Sequence, residues 1–574
     1  MYGFIGRISK DSDEAELYCE PHMGHSALIE NKTVCGSFQI KQLTLDKFKN
    51  DKVFYESEDT VIVVEGVIYN FSELEDEYKL KDRGRLLEIM YMNLSVSDFA
   101  DKLRGMFAMA IYDKKEKKLE LVSDHISYKT VWYALVDGSL IFSTDIDWLY
   151  RTYSRYEPLT IEYNGLYCLL NYGYMLGDVN PVKGIKKLLA GNVLQYLNGA
   201  IAVNNYYTVP HIQESEKGIS KEQIDKYLKL IDEAFEKGVT DVYRKDDEYG
   251  YKHCMTVSGG MDSRAILFMA RRLGYKTLCL TMGESGCEDI KISSKICHDL
   301  GMEHVVYELD NGNFLKTMDM ALEASGATIV YPGFAHIYRF MKLMNFDGYG
   351  AVHSGDVGGL ILGGAFLTET DDFMTLPSIR YGSEFLNRFD ENFMQKEKQR
   401  YRDFFRFGFY NRQLNSSCNG YYATSFFNEC SFPFITKELL NAAFQIPQDL
   451  IKDHRLYVLY MKKYLPEAAD YIWEKTGCKP GAGKQKRYVV KWKQRIKFHI
   501  FKKSISMNPF EKWYRENSDI REYFDEIFKD AEDIKKENPT LYHDLVKRYS
   551  SDRVMDKSLA CEAVAFIKKY NIKL

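Results

Sequence analysis

Val257-Ser-Gly-Gly-Met-Asp-Ser263 lies between two stretches of different periodicity. His253 to Val257 is a short apolar run that reads as a strand. Met261 to Leu273 puts Ile266, Leu267, Ala270 and Leu273 on one helical face, and Gly274 is its stop. The string therefore fills a strand-to-helix turn, the crevice where open α/β sheets bind ligands. Gly259 and Gly260 let backbone approach a polyphosphate, with N–H groups at a helix N-terminus. Ser258 and Ser263 add hydroxyl donors. Asp262 alone would repel phosphate, so Mg²⁺ between the two is the complement. A plain turn capped by Ser and Asp is the competing reading. The full S-G-G-x-D-S string in this setting favours the ligand site. It matches neither G-x-x-x-x-G-K-[ST] nor G-x-G-x-x-G.

Downstream the alternation continues. Lys276 to Met282 reads as a strand, Glu288 to Leu300 as a helix stopped by Gly301, and His304 to Leu309 as a strand. That order predicts a parallel sheet with right-handed crossovers. Beyond residue 370 the pattern is mostly helical. Upstream, Lys221 to Val239 is a charged amphipathic helix behind a polar stretch, Pro210 to Ile219, where a domain boundary is expected. Before it lie short strands: Val61 to Tyr69, read as a strand pair broken by a Gly-containing turn, Met106 to Tyr112, Leu119 to Ser123, and Ser139 to Ser143. The expected architecture is an α+β sandwich over residues 1–209, then an α/β domain over 210–574 with a helical C-terminal part.

Composition narrows the function. Of 574 residues, 45% are hydrophobic and 28% charged, which excludes disordered and fibrous classes. The net charge of −5 gives no global field for nucleic acid or an anionic membrane. The uncharged stretch Ala324 to Tyr338 is broken by Pro332 and His336, and no span is expected. The N-terminus lacks a signal-peptide core. Eleven cysteines without a CxxC pair suggest reduced thiols and a cytoplasmic setting.

The S-G-G-x-D-S string is the signature of the PP-loop ATP pyrophosphatases, and the chain resembles the asparagine synthetase family along its length. Glu65-Gly-Val-Ile-Tyr-Asn70 is similar to that family's N-G-E-I-Y-N, and Leu103 to Asp113 to its L-x-G-M-F-A-F-A-I-Y-D. Asp124 to Tyr133, Ile141 to Ile146, Gly173-Tyr174 and Gly184 to Gly191 follow in the family's order. Ser354-Gly355 and Gly363-Gly364 frame its second nucleotide motif.

The resemblance implies an Ntn-hydrolase-like glutaminase domain of the class II glutamine amidotransferase type, followed by a synthetase domain. It implies ATP and Mg²⁺, with Asp262 as metal ligand, Ser258 to Ser263 on the phosphates, and backbone around Val257, Met282 and Ser354-Gly355 on the adenosine. The chain also departs from the pattern. The family's nucleophilic cysteine is replaced by Tyr2, whose phenol is a poor nucleophile at neutral pH. The asparagine of its oxyanion hole is Glu65, and a carboxylate there would oppose the oxyanion. In Ser354-Gly-Asp-Val-Gly-Gly-Leu360 a second metal-binding aspartate is Gly359, and Asp356 holds the acid–base position, open to three roles: deprotonating an amine, substituting for the missing metal ligand, or only capping a turn. Cys478-Lys479-Pro480-Gly481 matches the K-x-G of β-lactam synthetases, with Lys484 the alternative lysine.

The expected activity is amide formation through an acyl-adenylate, using ammonia or an amine with a small-molecule or peptide carboxylate, on a non-hydrolysing N-terminal scaffold. An inactive nucleotide-binding scaffold is the first alternative. A tRNA-modifying enzyme is the second, resting on the acid-free basic segment Lys475 to Lys503, which otherwise reads as a solvated helix. Membrane and nucleic-acid partners are not expected, and a homodimer face is one task open to the N-terminal domain. Arg264 is read as reaching a ligand anion or a structural salt bridge. Tyr331, His336 and Tyr338 lie where the resembled family builds its acceptor pocket, and at least two of them are expected in the core.

Overall fold

The computed structural model describes residues 2–9, 16–22, 28–214, 218–367, 372–401, 403–490, 492 and 506–574. Its N-terminal part holds two six-stranded antiparallel sheets. One runs Ile185–Lys187, Trp132–Val136, Ser139–Ser143, Gly3–Ile8, Phe38–Leu45, Leu28–Cys35. The other runs Ala200–Asn205, Asn192–Leu197, Lys118–Ser123, Gly105–Asp113, Thr60–Ile68, Phe54–Glu56.

All nine residues of strand Thr60–Ile68 are buried, and their alternation places the sheet. Val61 and Val63 enter the core between the sheets with Phe4, Phe38 and Phe142. Ile62, Val64 and Ile68 meet Leu74, Leu86 and Phe99 of the covering helices. A strand buried on both faces shows no polar alternation. The expected break at Gly66 is therefore corrected. Gly66 sits mid-strand opposite Phe107 with φ +115°, and a Cβ there would lie 2.2 Å from the Met106 carbonyl oxygen.

Downstream, five parallel strands run in the order His304–Glu308, Thr277–Gly283, Lys252–Thr256, Tyr349–His353, Cys430–Ser431. Helices Met261–Arg272 and Glu288–Leu300 cross between the first three in sequence, and Gly274 and Gly301 take positive φ behind them. Helix Lys221–Glu248 opens on a capping box of Ser220 and Gln223 and runs beyond the amphipathic stretch expected. Connections leave the central strand Lys252–Thr256 toward one side first and the other later. The switch point therefore lies between that strand and Tyr349–His353.

One large apolar core joins the two parts, mixing Trp132, Tyr150 and Leu169 with Phe334, Leu559 and Phe566. The C-terminal stretch is stitched to the N-terminal part by backbone. Ile161 N donates to Lys573 O and Lys573 N to Leu159 O, both at 2.8 Å, and the Tyr570 hydroxyl reaches Asp147 at 2.8 Å. Among the described residues no helix is long and apolar enough to cross a membrane. All eleven cysteines are free.

Candidate active site

Strand Lys252–Thr256 delivers Val257 to Ser263 to the switch point, and strand Tyr349–His353 delivers Ser354 to Asp356 beside it. The two loops touch. A Cβ at Gly355 would lie 2.4 Å from Ser263 N, so only glycine allows this approach. Between them opens a cavity of about 380 Å³. Val257, Ser258, Gly260, Asp262, Ser263, Met282, Ser354, Gly355 and Asp356 all line it.

Two expected residues do not. Gly259 turns away: its N–H donates to Asp289 Oδ1 (3.0 Å) and its carbonyl accepts from Arg264 Nη2 (3.2 Å) and Glu474 N (3.1 Å). Lys479 is exposed, pairs with Asp470 at 2.9 Å and lines a separate groove, because the turn from Trp473 to Gly481 carries it past the cavity. Lys484 is exposed as well. The cation whose field reaches Asp262 is Lys475, seated over the Trp473 ring. Of the basic segment, residues 491 and 493–503 lie outside the described residues.

The loop's other donors are held by hydroxyls. Ser258 N donates to Ser263 Oγ (3.0 Å) and Gly260 N to Ser258 Oγ (3.1 Å). Gly260 caps helix Met261–Arg272 without a side-chain bond, leaving the cavity at a helix N-terminus. Arg264 underpins the loop. Its guanidinium is fully buried and donates to the carbonyls of Gly259, Ala468, Tyr471 and Ile472 at 2.7–3.2 Å. It reaches neither the cavity nor a carboxylate, so both sequence readings of it give way to a backbone tie.

Two acids face the cavity. Asp262 accepts from Gly359 N at 2.8 Å. Burial pushes its carboxyl up to about 6, against the pull of that amide, and the nearby Asp356 adds to the rise. Asp356 is raised too, by burial against hydrogen bonds from Ser354 and Tyr421. Ser354 Oγ bridges Asp356 Oδ2 (2.8 Å) and the Tyr421 hydroxyl (2.9 Å). Val357, just beyond, takes φ +76°, a strained conformation for a β-branched residue. Gly359 occupies the expected second aspartate's place, and a Cβ there would stand 3.3 Å from Asp262 Oδ2. Two carboxylates and several hydroxyls form a hard-oxygen set that suits a divalent cation such as Mg²⁺ beside a polyphosphate.

Of the far wall, the sequence singles out only His336. Tyr421, Ser416 and Ser417 come from the helical segment, and His336 joins them, while Tyr331 and Tyr338 are core residues. The small polar run Asn415 to Asn419 within an aromatic-rich region was the available signal.

At the chain's start the chemistry is different. Tyr2 is buried, its ring 6.3 Å from His22 and 6.5 Å from Phe426 of the downstream part. Glu65 runs alongside Gly3, whose added Cβ would lie 3.2 Å from Glu65 Cγ. Its carboxylate is neutralised: Lys129 lies at 3.2 Å and Lys52 at 3.9 Å, and both also pair with Glu429 at 2.8 Å. The bare charge expected at this position is a closed four-residue ion cluster.

Two family models match the chain, a glutamine amidotransferase domain over residues 24–207 and an asparagine synthase domain over residues 230–419. Asparagine synthetase [glutamine-hydrolyzing] 1 of Bacillus subtilis is 23% identical over 327 residues, covering 53% of this chain and 50% of that protein. Putative asparagine synthetase [glutamine-hydrolyzing] 1 of Methanocaldococcus jannaschii is 22% identical over 364 residues, covering 62% and 60%. The chain spans about half the length of the curated relatives it matches. A solved glutamine phosphoribosylpyrophosphate amidotransferase from B. subtilis superposes with a TM-score of 0.26 at 8% identity, over 54% of this chain and 86% of that one.

Proposed function

Since the chain belongs to the asparagine synthetase family, we propose that it is an ATP-dependent carbon–nitrogen ligase with one working site, the cavity at the switch point. The observation that carries this reading is the meeting of the Ser258–Ser263 loop with Ser354–Asp356, which brings two carboxylates to a helix N-terminus. ATP lies with its phosphates on Ser258, Gly260 and Ser263 and its adenosine against Val257, Met282 and Ser354-Gly355. Mg²⁺, when bound, neutralises phosphate charge, and Asp262, with Asp356 near it, is the group that would hold it.

A substrate carboxylate oxygen attacks the α-phosphorus as the bond to the β-phosphate's bridging oxygen breaks, and pyrophosphate leaves. Ammonia or an amine then attacks the acyl carbon, and AMP leaves with the carbon–oxygen electron pair. Asp356, its basicity raised by burial, takes the amine proton. The N-terminal part hydrolyses no glutamine.

The test is a panel of carboxylates with ATP and ammonia or amines, read as AMP and pyrophosphate. Equal amounts of both, unchanged when glutamine replaces ammonia as the added nitrogen compound only for a substrate that carries its own amine, are expected. ADP as product overturns the reading. Gly359 and the outward Lys479 favour a second one, a nucleotide-binding scaffold. Tight ATP binding without pyrophosphate from any substrate would select it.

A further inference from the structure

A second cavity, of about 140 Å³, lies between the N-terminal sandwich and two helical pieces, the end of Glu391–Tyr401 and the stretch from Arg406 to Asn415. It is separate from the nucleotide cavity, and the ligase reading does not use it. Lys187, Arg400 and Arg406 line it, together with the amides Asn192, Asn205 and Asn415.

Two of these cations have no carboxylate at ion-pair distance among the described residues. Lys187 is buried, and its ammonium makes one hydrogen bond, to Asn415 Oδ1 at 2.8 Å, with no carboxylate at ion-pair distance. An ammonium has three donors, so one neutral acceptor leaves it short. Arg406 donates from Nη2 to the Val209 carbonyl at 2.6 Å, while its Nε is buried without a partner. Arg400, by contrast, is answered by Asp178 (2.8 Å) and Glu397 (3.0 Å). Burying positive charge without an anion is costly, and buried donors are normally satisfied. Burial pushes the Lys187 ammonium down to about 8, and the field of Asp124 opposes the drop. It is still mainly charged at neutral pH.

We propose that this cavity binds a small oxyanion, a phosphate or a carboxylate, between Lys187 and Arg406. Its size excludes a nucleotide, since drug-sized pockets begin at about 300 Å³. Charge-assisted bonds from an ammonium and a guanidinium to one oxyanion are the strong kind. The site also bears on the first cavity. The π-helical segment Gly408–Ser417 supplies Leu414 and Asn415 to the anion cavity and Ser416 and Ser417 to the nucleotide cavity. Such π-turns are rare and mark functional places.

The test is calorimetric titration of the full chain with inorganic phosphate and, separately, with acetate, against chloride at matched ionic strength. Saturable binding of phosphate alone assigns a tetrahedral oxyanion; binding of both assigns a carboxylate-tolerant site. Two variants locate it. Asn415→Asp places a carboxylate against Lys187 and supplies the missing charge from the wall. It should fold with a Tm no lower than the parent's, lose the phosphate-induced rise in Tm, and bind phosphate about tenfold or more weakly. Lys187→Met removes the ammonium and should weaken phosphate to the same degree. Phosphate and acetate indistinguishable from chloride, or unchanged phosphate affinity in both variants, overturns the proposal.

Discussion

Glu65 and Glu429, where the sandwich meets the helical part, stand within 3.9 Å of Lys52 and Lys129. Asp262 and Asp356, at the switch point, meet only amide and hydroxyl partners, with no lysine or arginine in ion-pair contact among the described residues. Both places bury pairs of acids. In the first the counter-charge is part of the wall, so the charge is settled within the protein. In the second the counter-charge has to arrive from outside, and the space is open to receive it. A fixed cation makes a structural element of a carboxylate; a missing one leaves a site.

Removing the recruiting acid tests that contrast most severely. Asp262→Ala should cut pyrophosphate formation by about 10²–10³-fold, the size of a lost electrostatic contact in a transition state. Retention of half the rate would place the chemistry elsewhere. In the settled cluster the loss should appear as stability. Although burial alone would raise it, Lys129 and Lys52 hold the Glu429 carboxyl down to about 2. A depressed acid contributes stability above its unfolded pKa near 4.5, and that contribution fades as pH falls toward 2. Glu429→Gln should therefore lower stability at pH 7 by on the order of 3 kcal/mol and flatten the acid limb of denaturant unfolding. An unchanged limb would mean that the cluster is not answering charge with charge. Asp356→Asn should slow amide formation by about 10²-fold, a general-base effect, while leaving ATP affinity nearly intact. A parallel loss of ATP affinity would make Asp356 a cation ligand instead. The smallest effect is the sharpest for the sandwich. Tyr2→Cys should release no glutamate from glutamine, since Glu65 remains beside it and committed to Lys129. Turnover in that variant would show the pocket is still shaped for catalysis.

The local parts of this organisation were legible in the sequence. Strand, loop and helix around Ser258–Ser263 are neighbours in the chain, and capping and periodicity speak directly to them. The second loop was legible through Ser354-Gly355, and nine of the eleven nominated positions line one cavity. The exceptions depend on direction. Gly259 and Lys479 sit in the right strings, but whether a peptide or an ammonium faces in or out is set by Asp289, Glu474 and Asp470. Arg264 looked like a ligand for anions because nothing local reveals four carbonyls, three of them about two hundred residues away. Gly66 resembled a turn because a doubly buried strand has no polar alternation to carry through it. Tyr421 and the lysines around Glu65 were hidden by sequence distance alone.

The pairing of Lys573 with Leu159 and Ile161 also sets a timetable. The face of the sandwich carrying Tyr150, Leu169 and Leu170 is covered by helix Val554–Lys569, which is made almost 400 residues later. At ribosomal speeds of roughly 5–20 residues per second, that apolar face waits on the order of half a minute for its cover. During that interval the nascent N-terminal part has a partly finished surface, which chaperones would shield and faster synthesis would expose for less time. A message broken before codon 554 should yield an insoluble product even though every strand of both antiparallel sheets has been translated.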